Sequence, residues 1–337
     1  MGRKLGAFVC GVLCLFSICE THAADYQGFG ATTPGGAQLP IVHVTTLANA
    51  GRGSLRKALS GVKRTIVFDV GGTIKVPNIV LVKGWFITID GSTAPPPGIT
   101  LDGAGLVVHA HDIILRGIRI RNSRKDGITI DHSSYNIIVD HVSIQGASDG
   151  SIDVTNGASN VTIQWSILAE NDASHNLLSL VADQASHITF HHNLFVKGQS
   201  RNPQSGWDST LATTPSNTVT DIRNNLIWDF LDYGTVIKDN TRSNVVGNFY
   251  YSLLQPTATR ALRVTTGGQV YAEHNFSLNG ADVDSQGNKT QPFTAATVDT
   301  TDACTAAQQV VDQAGVRPLD AIDLRYISAI TLPAGPC

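Results

Sequence analysis

The sequence predicts an all-β fold: a single-stranded right-handed parallel β-helix with short capping helices. Three observations carry that reading. Short β-branched runs recur at a nearly fixed spacing, the residue before each run is polar, and the repeating region has almost no helical periodicity.

The chain begins with a processing signal. Arg3 and Lys4 precede an apolar run from Leu5 to Ile18, and Thr21-His22-Ala23 offers a small-residue cleavage site. The run is too short to span a bilayer and no later stretch replaces it. Residues 1–23 are therefore expected to be a signal peptide, and the mature chain to be secreted and free of the membrane. Three of five cysteines leave with the signal. Cys304 and Cys337 remain, an even pair in an oxidising compartment, and are expected to form a disulfide.

Residues 24–337 read as one domain, with repeating coils over about 64–280 and a tail over 281–337 packed on them. Tyr26 to Ala37 is rich in Gly, Thr and Pro and reads as irregular. Gly53-Ser-Leu-Arg-Lys-Ala-Leu59 is a short helix capped by Ser54, suited to closing one end of a solenoid. Thr65-Ile-Val-Phe68, Phe86-Ile-Thr-Ile89 and Ile99-Thr-Leu101 are strands. Ala94-Pro-Pro-Pro-Gly98 is loop.

The repeat follows. Its first apolar residue falls at Ile113, Ile137, Val161, Ile188, Val219, Val245 and Val270, at spacings of 24, 24, 27, 31, 26 and 25. Asp112, Asn136, Asn160, His187, Thr218, Asn244 and Gln269 precede them, a candidate hydrogen-bonded ladder. A second apolar run recurs at Gly127–Ile130, Ser151–Val154, Leu177–Leu180, Thr235–Ile237 and Ala261–Val264. A β-sandwich also spaces its strands evenly, but it does not repeat residue types at one phase. Stacked coils do, and parallel crossovers make the right-handed coil the default. The tail from Ala303 to Ala314 is helix-prone and suits the outside of the coil.

A formal net charge of −3 with 15% charged residues gives no basic field for nucleic acid. No Gly-x-Ser-x-Gly elbow, phosphate loop or HExxH is present. Acidic residues stand out instead. Asp126 opens Asp-Gly-Ile-Thr-Ile130, and Asp149 opens Asp-Gly-Ser-Ile-Asp-Val154 one unit later, with Asp153 four residues on. Each Asp-Gly taken alone is ordinary turn chemistry. Three carboxylates in register on adjacent units would instead suit a hard cation, Ca²⁺ rather than Zn²⁺. Both readings stand at this point. His191-His192-Asn193 and Glu273-His274-Asn275 recur at one phase of the repeat and read as structural, with His191 and His192 on opposite faces. Asn193, Asn225, Asn248 and Asn275 read as turn or ladder residues. Arg201 projects from a loop about two units beyond Asp149, where a cation beside an acidic patch suits a polyanionic substrate.

These residues together resemble the secreted pectate lyases of the first polysaccharide-lyase family. The resemblance runs through Gly28-Phe-Gly30, Gly53-Ser-Leu-Arg56, Thr65-Ile-Val-Phe-Asp69, Val139-Asp-His141, His191-His-Asn193, Arg201-Asn-Pro203, Asn224-Asn225 and Ala314-Gly-Val-Arg-Pro318. It implies calcium-dependent β-elimination of polygalacturonate, Ca²⁺ held by Asp126, Asp149 and Asp153, and Arg201 as the base. Two family cations are missing. The Lys expected after the strand Val161 to Leu168 has its nearest match in His175, and Gln204-Ser-Gly-Trp207 replaces a second Arg. His175 and Lys197 are the substrate-binding candidates, with Trp207 and Lys238 as further support. The implied partner is an acidic polysaccharide, bound by a monomer. The rival functions are a β-helical glycoside hydrolase using paired carboxylates, and a polysaccharide-binding protein without catalysis.

Overall fold

The computed structural model describes residues 26–206, 218–254 and 257–337. The expected signal segment and Trp207 lie outside them. The described chain winds into a right-handed parallel β-helix of three sheets with ten, nine and eight strands. Each coil visits the first, second and third sheet in turn. His111–Arg116, Ile118–Arg121 and Ile128–Ile130 make one coil, and the chain then re-enters the first sheet at Tyr135–Asp140. The sheet series starts at Ile41–Val44, before the first strand expected from sequence.

Stacking fills the interior. Ile113, Ile137, Val161 and Ile188 sit in register on successive coils, and none has accessible surface. Each such side chain stabilises the fold by roughly 1.5–3 kcal/mol over an exposed one. The expected column drifts beyond Ile188. Thr220 and Ser243, not Val219 and Val245, continue it, while Val245 pairs with Ile222 two residues along. Buried hydroxyls occupy those inward positions, so a search for the first apolar residue lands beside them. The strand Gln204–Ser205 in the third sheet was invisible for the same reason.

The corner between the first and second sheets repeats with little change. Its leading residue is left-handed in every coil from Gly117 onward: His141 (φ 47°), Trp165 (48°), His192 (53°), Asn224 (51°), Gly247 (63°) and His274 (57°) follow. Just after it, Asn193, Asn225, Asn248 and Asn275 point inward as the expected ladder. The Asn225 Oδ1 accepts from the Asn193 backbone N–H and side-chain amide, both at 3.0 Å. Asn248 and Asn275 repeat the pattern one and two coils on. Asp284 ends it by accepting from Asn275. The second ladder is present at its start, where Asn136 donates to Asp112 at 3.0 Å and Asn160 to Asn136 at 3.4 Å.

His191 and His192 do not take opposite faces. The strand ends at His191 and the left-handed turn at His192 brings the two Nδ1 atoms to 3.0 Å. His192 stacks on Trp165 with centroids 4.3 Å apart, and His191 bonds Gln164. Burial holds His191 well below its ordinary pKa and pushes His192 down to about 4. Both are buried, and their contacts lie within the coil corner.

Both ends of the solenoid are closed. The helix Leu55–Ala58, capped by Ser54, packs Leu55, Ala58 and Leu59 into the core. At the other end, Val283 enters the core beside the short turn Asp284–Gln286. The tail then folds back as the helices Ala303–Gln313 and Ala321–Ile327, and a disulfide joins Cys304 to Cys337. The second helix is held by a buried ion cluster. Arg121 reaches Asp323 at 2.7 Å and Asp320 at 3.0 Å, and Arg119 lies within 3.8 Å of both. Among the described residues, no helix is long and apolar enough to cross a membrane.

Asp323→Ala leaves two buried guanidinium groups with the partly exposed Asp320 as their one carboxylate and is expected to cost up to about 3–5 kcal/mol, measured by denaturant melts. Two buried neutral histidines give a pH effect of definite sign. The unfolded chain takes up protons that the folded chain refuses between the ordinary His value and the depressed one. Stability therefore falls as pH drops below about 6.5, by up to about 1.4 kcal/mol per unit for each His. Urea melts of the parent and His191→Gln across that range should show a shallower decline in the variant.

Candidate active site

The long connections between the second and third sheets carry the residues singled out above. On the third sheet, side chains alternate. Ile128, Ile130, Ile152 and Val154 point into the core, and Thr129 and Asp153 sit between them in direct register on the outer face. Asp126 lies just before the first of these strands. Its carboxylate accepts from Thr129 Oγ1 at 2.7 Å and from the Gly150 N–H at 2.9 Å. Asp153 is 9% exposed and accepts from the Leu180 N–H at 3.0 Å.

The register corrects one expectation. Ile128 pairs with Ile152, so Asp126 aligns with Gly150 and not with Asp149. The extra residue Ser151 shifts the second Asp-Gly by one position, and both the Ser151 and Ile152 N–H groups point at the Leu178 carbonyl. Asp149 is thereby displaced outward, where its carboxylate meets His175 Nε2 at 3.2 Å. The buried Asn171 fixes this loop, donating to the carbonyls of Asp149 and Leu177 and accepting from Ser151 Oγ. Asp126 and Asp153 converge on Gly150 from two sides. A Cβ there would lie 2.4 Å from Asp153 Oδ1, so glycine is required for the approach, not for a turn.

Arg201 enters from the connection two coils beyond that of Asp149, with φ 61° and its carbonyl accepting from the Ser179 N–H at 2.8 Å. Burial raises the Asp153 carboxyl well above its ordinary value, the charges of Asp126 and Asp149 raise it further, and Arg201 opposes them. Burial likewise raises Asp126 and lowers the Arg201 guanidinium, against the pull of the same three carboxylates on Arg201. The edge is thus an all-oxygen donor set with more negative charge than one guanidinium neutralises. Such a set fits a hard divalent cation.

Asp126, Asp149, Asp153, His175 and Arg201 come together in this way. Lys197 does not join them. It follows the strand Leu194–Val196 and lines a separate cavity of about 540 Å³ with Glu170, Trp228, Asp229, Tyr251 and Tyr326. Lys238 follows the third sheet and pairs with Asp239 at 3.3 Å. Thr129 and Asn171 were missed from sequence, and Gly150 was read only as permitting a bend between Asp149 and Asp153. Only the shared register of Thr129 with Asp153 could have shown the first of them.

Comparison with known proteins bears on this geometry. Protein-family models give no match. A probable pectate lyase C from Emericella nidulans is 32% identical over 276 residues, 79% of this chain and 62% of that protein. Its counterpart in Aspergillus terreus is 33% identical over 277 residues, 78% of this chain and 63% of that protein. This chain is homologous to these probable pectate lyases over that span. It spans about three-fifths of the length of these curated relatives. Solved pectate lyases share the fold. A Bacillus enzyme crystallised with trigalacturonate superposes with a TM-score of 0.67 at 20% identity, covering 86% of this chain and 98% of that one. The major cedar-pollen allergen gives 0.68 at 19%, covering 86% and 92%.

The crowding at Gly150 is testable by a double-mutant cycle. Gly150→Ala alone is expected to cost about 1–3 kcal/mol through overpacking. In an Asp153→Ala background the same change should cost much less, because its collision partner is gone. Equal costs in both backgrounds would show that the carboxylate does not press on Gly150.

Proposed function

We propose that the chain is a secreted, calcium-dependent pectate lyase that cleaves (1→4)-α-D-galacturonan by β-elimination. What carries this reading is the placing of three carboxylates and a half-buried guanidinium within one another's electrostatic reach on the third sheet, in a homologue of probable pectate lyases. Asp126, Asp149 and Asp153 would hold Ca²⁺. Bound there, the ion supplies positive charge against a uronate carboxylate and so acidifies the neighbouring C5–H.

Arg201 is the residue we assign to that proton. A guanidinium is a poor base in water, and burial moves Arg201 toward the neutral form against the pull of Asp153, Asp149 and Asp126. As the C5–H electron pair becomes the C4–C5 double bond, the C4–O4 bond breaks. The departing oxygen keeps its pair and takes a proton from solvent, leaving an unsaturated oligogalacturonide. His175, poised on Asp149, is the proposed substrate contact in place of the missing lysine. Lys197 would contact only a substrate chain that runs on toward the second sheet. The partner is an acidic polysaccharide, taken by a monomer with no role for membrane or nucleic acid.

Polygalacturonate with purified protein should give a product absorbing in the ultraviolet, dependent on calcium and abolished by EDTA. Arg201→Ala should lower the rate by about 10²-fold or more while leaving the fold intact. Reducing ends without absorbance, insensitive to EDTA, would mean a hydrolase. Binding without turnover, unchanged by Arg201→Ala, would mean a non-catalytic protein. Asp153→Asn keeps the acceptor for Leu180 and removes a charge. Its Tm without calcium should rise, and the further rise on adding calcium, present in the parent, should disappear.

A further inference from the structure

A second cluster lies on the third sheet, at the opposite ends of its strands from the carboxylate edge. The strands Leu106–Val108 and Ile128–Ile130 pair with Val108 opposite Ile130, which sets His109 beside Asp131. The ladder continues through both residues. The His109 N–H donates to the Val82 carbonyl at 3.0 Å and the Asp131 N–H to Val108 at 3.3 Å. By the strand alternation, their side chains share the outer face with Thr129. His132 follows in a turn closed by Ser134, whose N–H and hydroxyl both donate to the Asp131 carbonyl.

His109 Nε2 stands 2.7 Å from Asp131 Oδ1, and His132 Nδ1 stands 3.0 Å from the same oxygen. The two imidazoles stack with centroids 3.8 Å apart. One ligand atom from each residue lies within 4.8 Å of the others, and among the described residues no other group of three His, Cys, Asp or Glu does so.

An ordinary His–Asp hydrogen bond does not account for this. His43–Asp69, His111–Asp112 and His141–Asp140 make aligned bonds of 2.7–2.8 Å. Asp131 Oδ1, though buried, has no aligned donor from either ring. Three lone-pair groups converge on one point instead of saturating one another. Two imidazoles and a carboxylate form a borderline donor set that favours Zn²⁺-type ions over Ca²⁺. Tetrahedral zinc places its ligand atoms about 3.3 Å apart, given bonds of about 2.0–2.1 Å. His132, 64% exposed, is free to make that closure, and a fourth position is left toward solvent.

We propose that His109, Asp131 and His132 form a binding site for a borderline divalent transition ion, separate from the carboxylate edge. The site does not depend on the activity proposed above.

The test uses Zn²⁺ and the untagged full chain, in calcium-containing buffer, competing against a chromophoric chelator. One equivalent should bind, with micromolar or tighter affinity. Co²⁺ in place of zinc should give the visible absorption of a four-coordinate site. His132→Ala should weaken zinc binding by about 10²-fold or more and remove that absorption, with an unchanged thermal melt because the side chain is exposed. His43→Ala and Asp153→Asn should leave both signals intact. Absence of stoichiometric binding overturns the proposal. So does binding that survives in the His109→Ala/His132→Ala double variant, or that is lost in Asp153→Asn.

Discussion

Every coil must turn a corner at the edge of its own core, where no water can reach the backbone. In the later coils buried asparagines make this possible, and Ser166 leads into them by accepting from the Val142 N–H and donating its own N–H to Asn193. Each asparagine supplies an acceptor for the preceding coil's backbone N–H and amide, and donates to the carbonyl of a strand end such as Phe190 or Ile222. A buried N–H left without such a partner costs about 1–3 kcal/mol. The same stacking that satisfies the corner fixes the register of all three sheets. Register in turn decides which side chains share the outer face. The carboxylate edge exists because Thr129 and Asp153 are one strand spacing apart, and that follows from coils locked at their corners.

The acidic edge departs from the regularity that positions it. One inserted residue, Ser151, breaks the match between the two Asp-Gly turns, lifts Asp149 toward His175, and drops Gly150 between two carboxylates. A perfect repeat would have stacked the Asp-Gly pairs and left no room for Asp153 to approach. Holding like charges together in a half-buried place costs stability, and the surrounding coils supply the rigidity that maintains it. Regular coils build the platform, and the irregular loop on it gathers the chemistry.

What could be read in advance follows from which signals are local. The solenoid was legible because Ile113, Ile137, Val161 and Ile188 are apolar, and the Ser54-capped helix because its cap is a neighbour in sequence. The column was lost at Thr220 and Ser243, where buried hydroxyls replace the apolar signal. The disulfide followed from cysteine count, and the structure contains it. Asp126, Asp149, Asp153 and Arg201 could be named, but not their alignment, since a one-residue bulge leaves no mark in composition. Thr129, Asn171 and the small-residue demand at Gly150 depend on contacts across coils. Lys197 was misplaced because distance along the chain says little about which of three faces a loop overhangs. His191 and His192 were given opposite faces by treating them as strand, and the left-handed corner rotates them together.

The tail changes what kind of object the solenoid is. A stack of coils is close to one-dimensional: each layer leans on its two neighbours, and the ends can peel away singly. Here the chain leaves the last coil and runs back along the stack. Thr301 bonds Asn224, Gly315 bonds Trp165, Val316 bonds Ser143, and Arg119 holds the carbonyls of Val316 and Pro318. The Cys304–Cys337 bond closes the returning segment on itself. Layers far apart in the stack are thereby wired to one strap, and detaching the last layer pulls on those near the first. A molecule assembled like a column of coins comes apart, if at all, as a block.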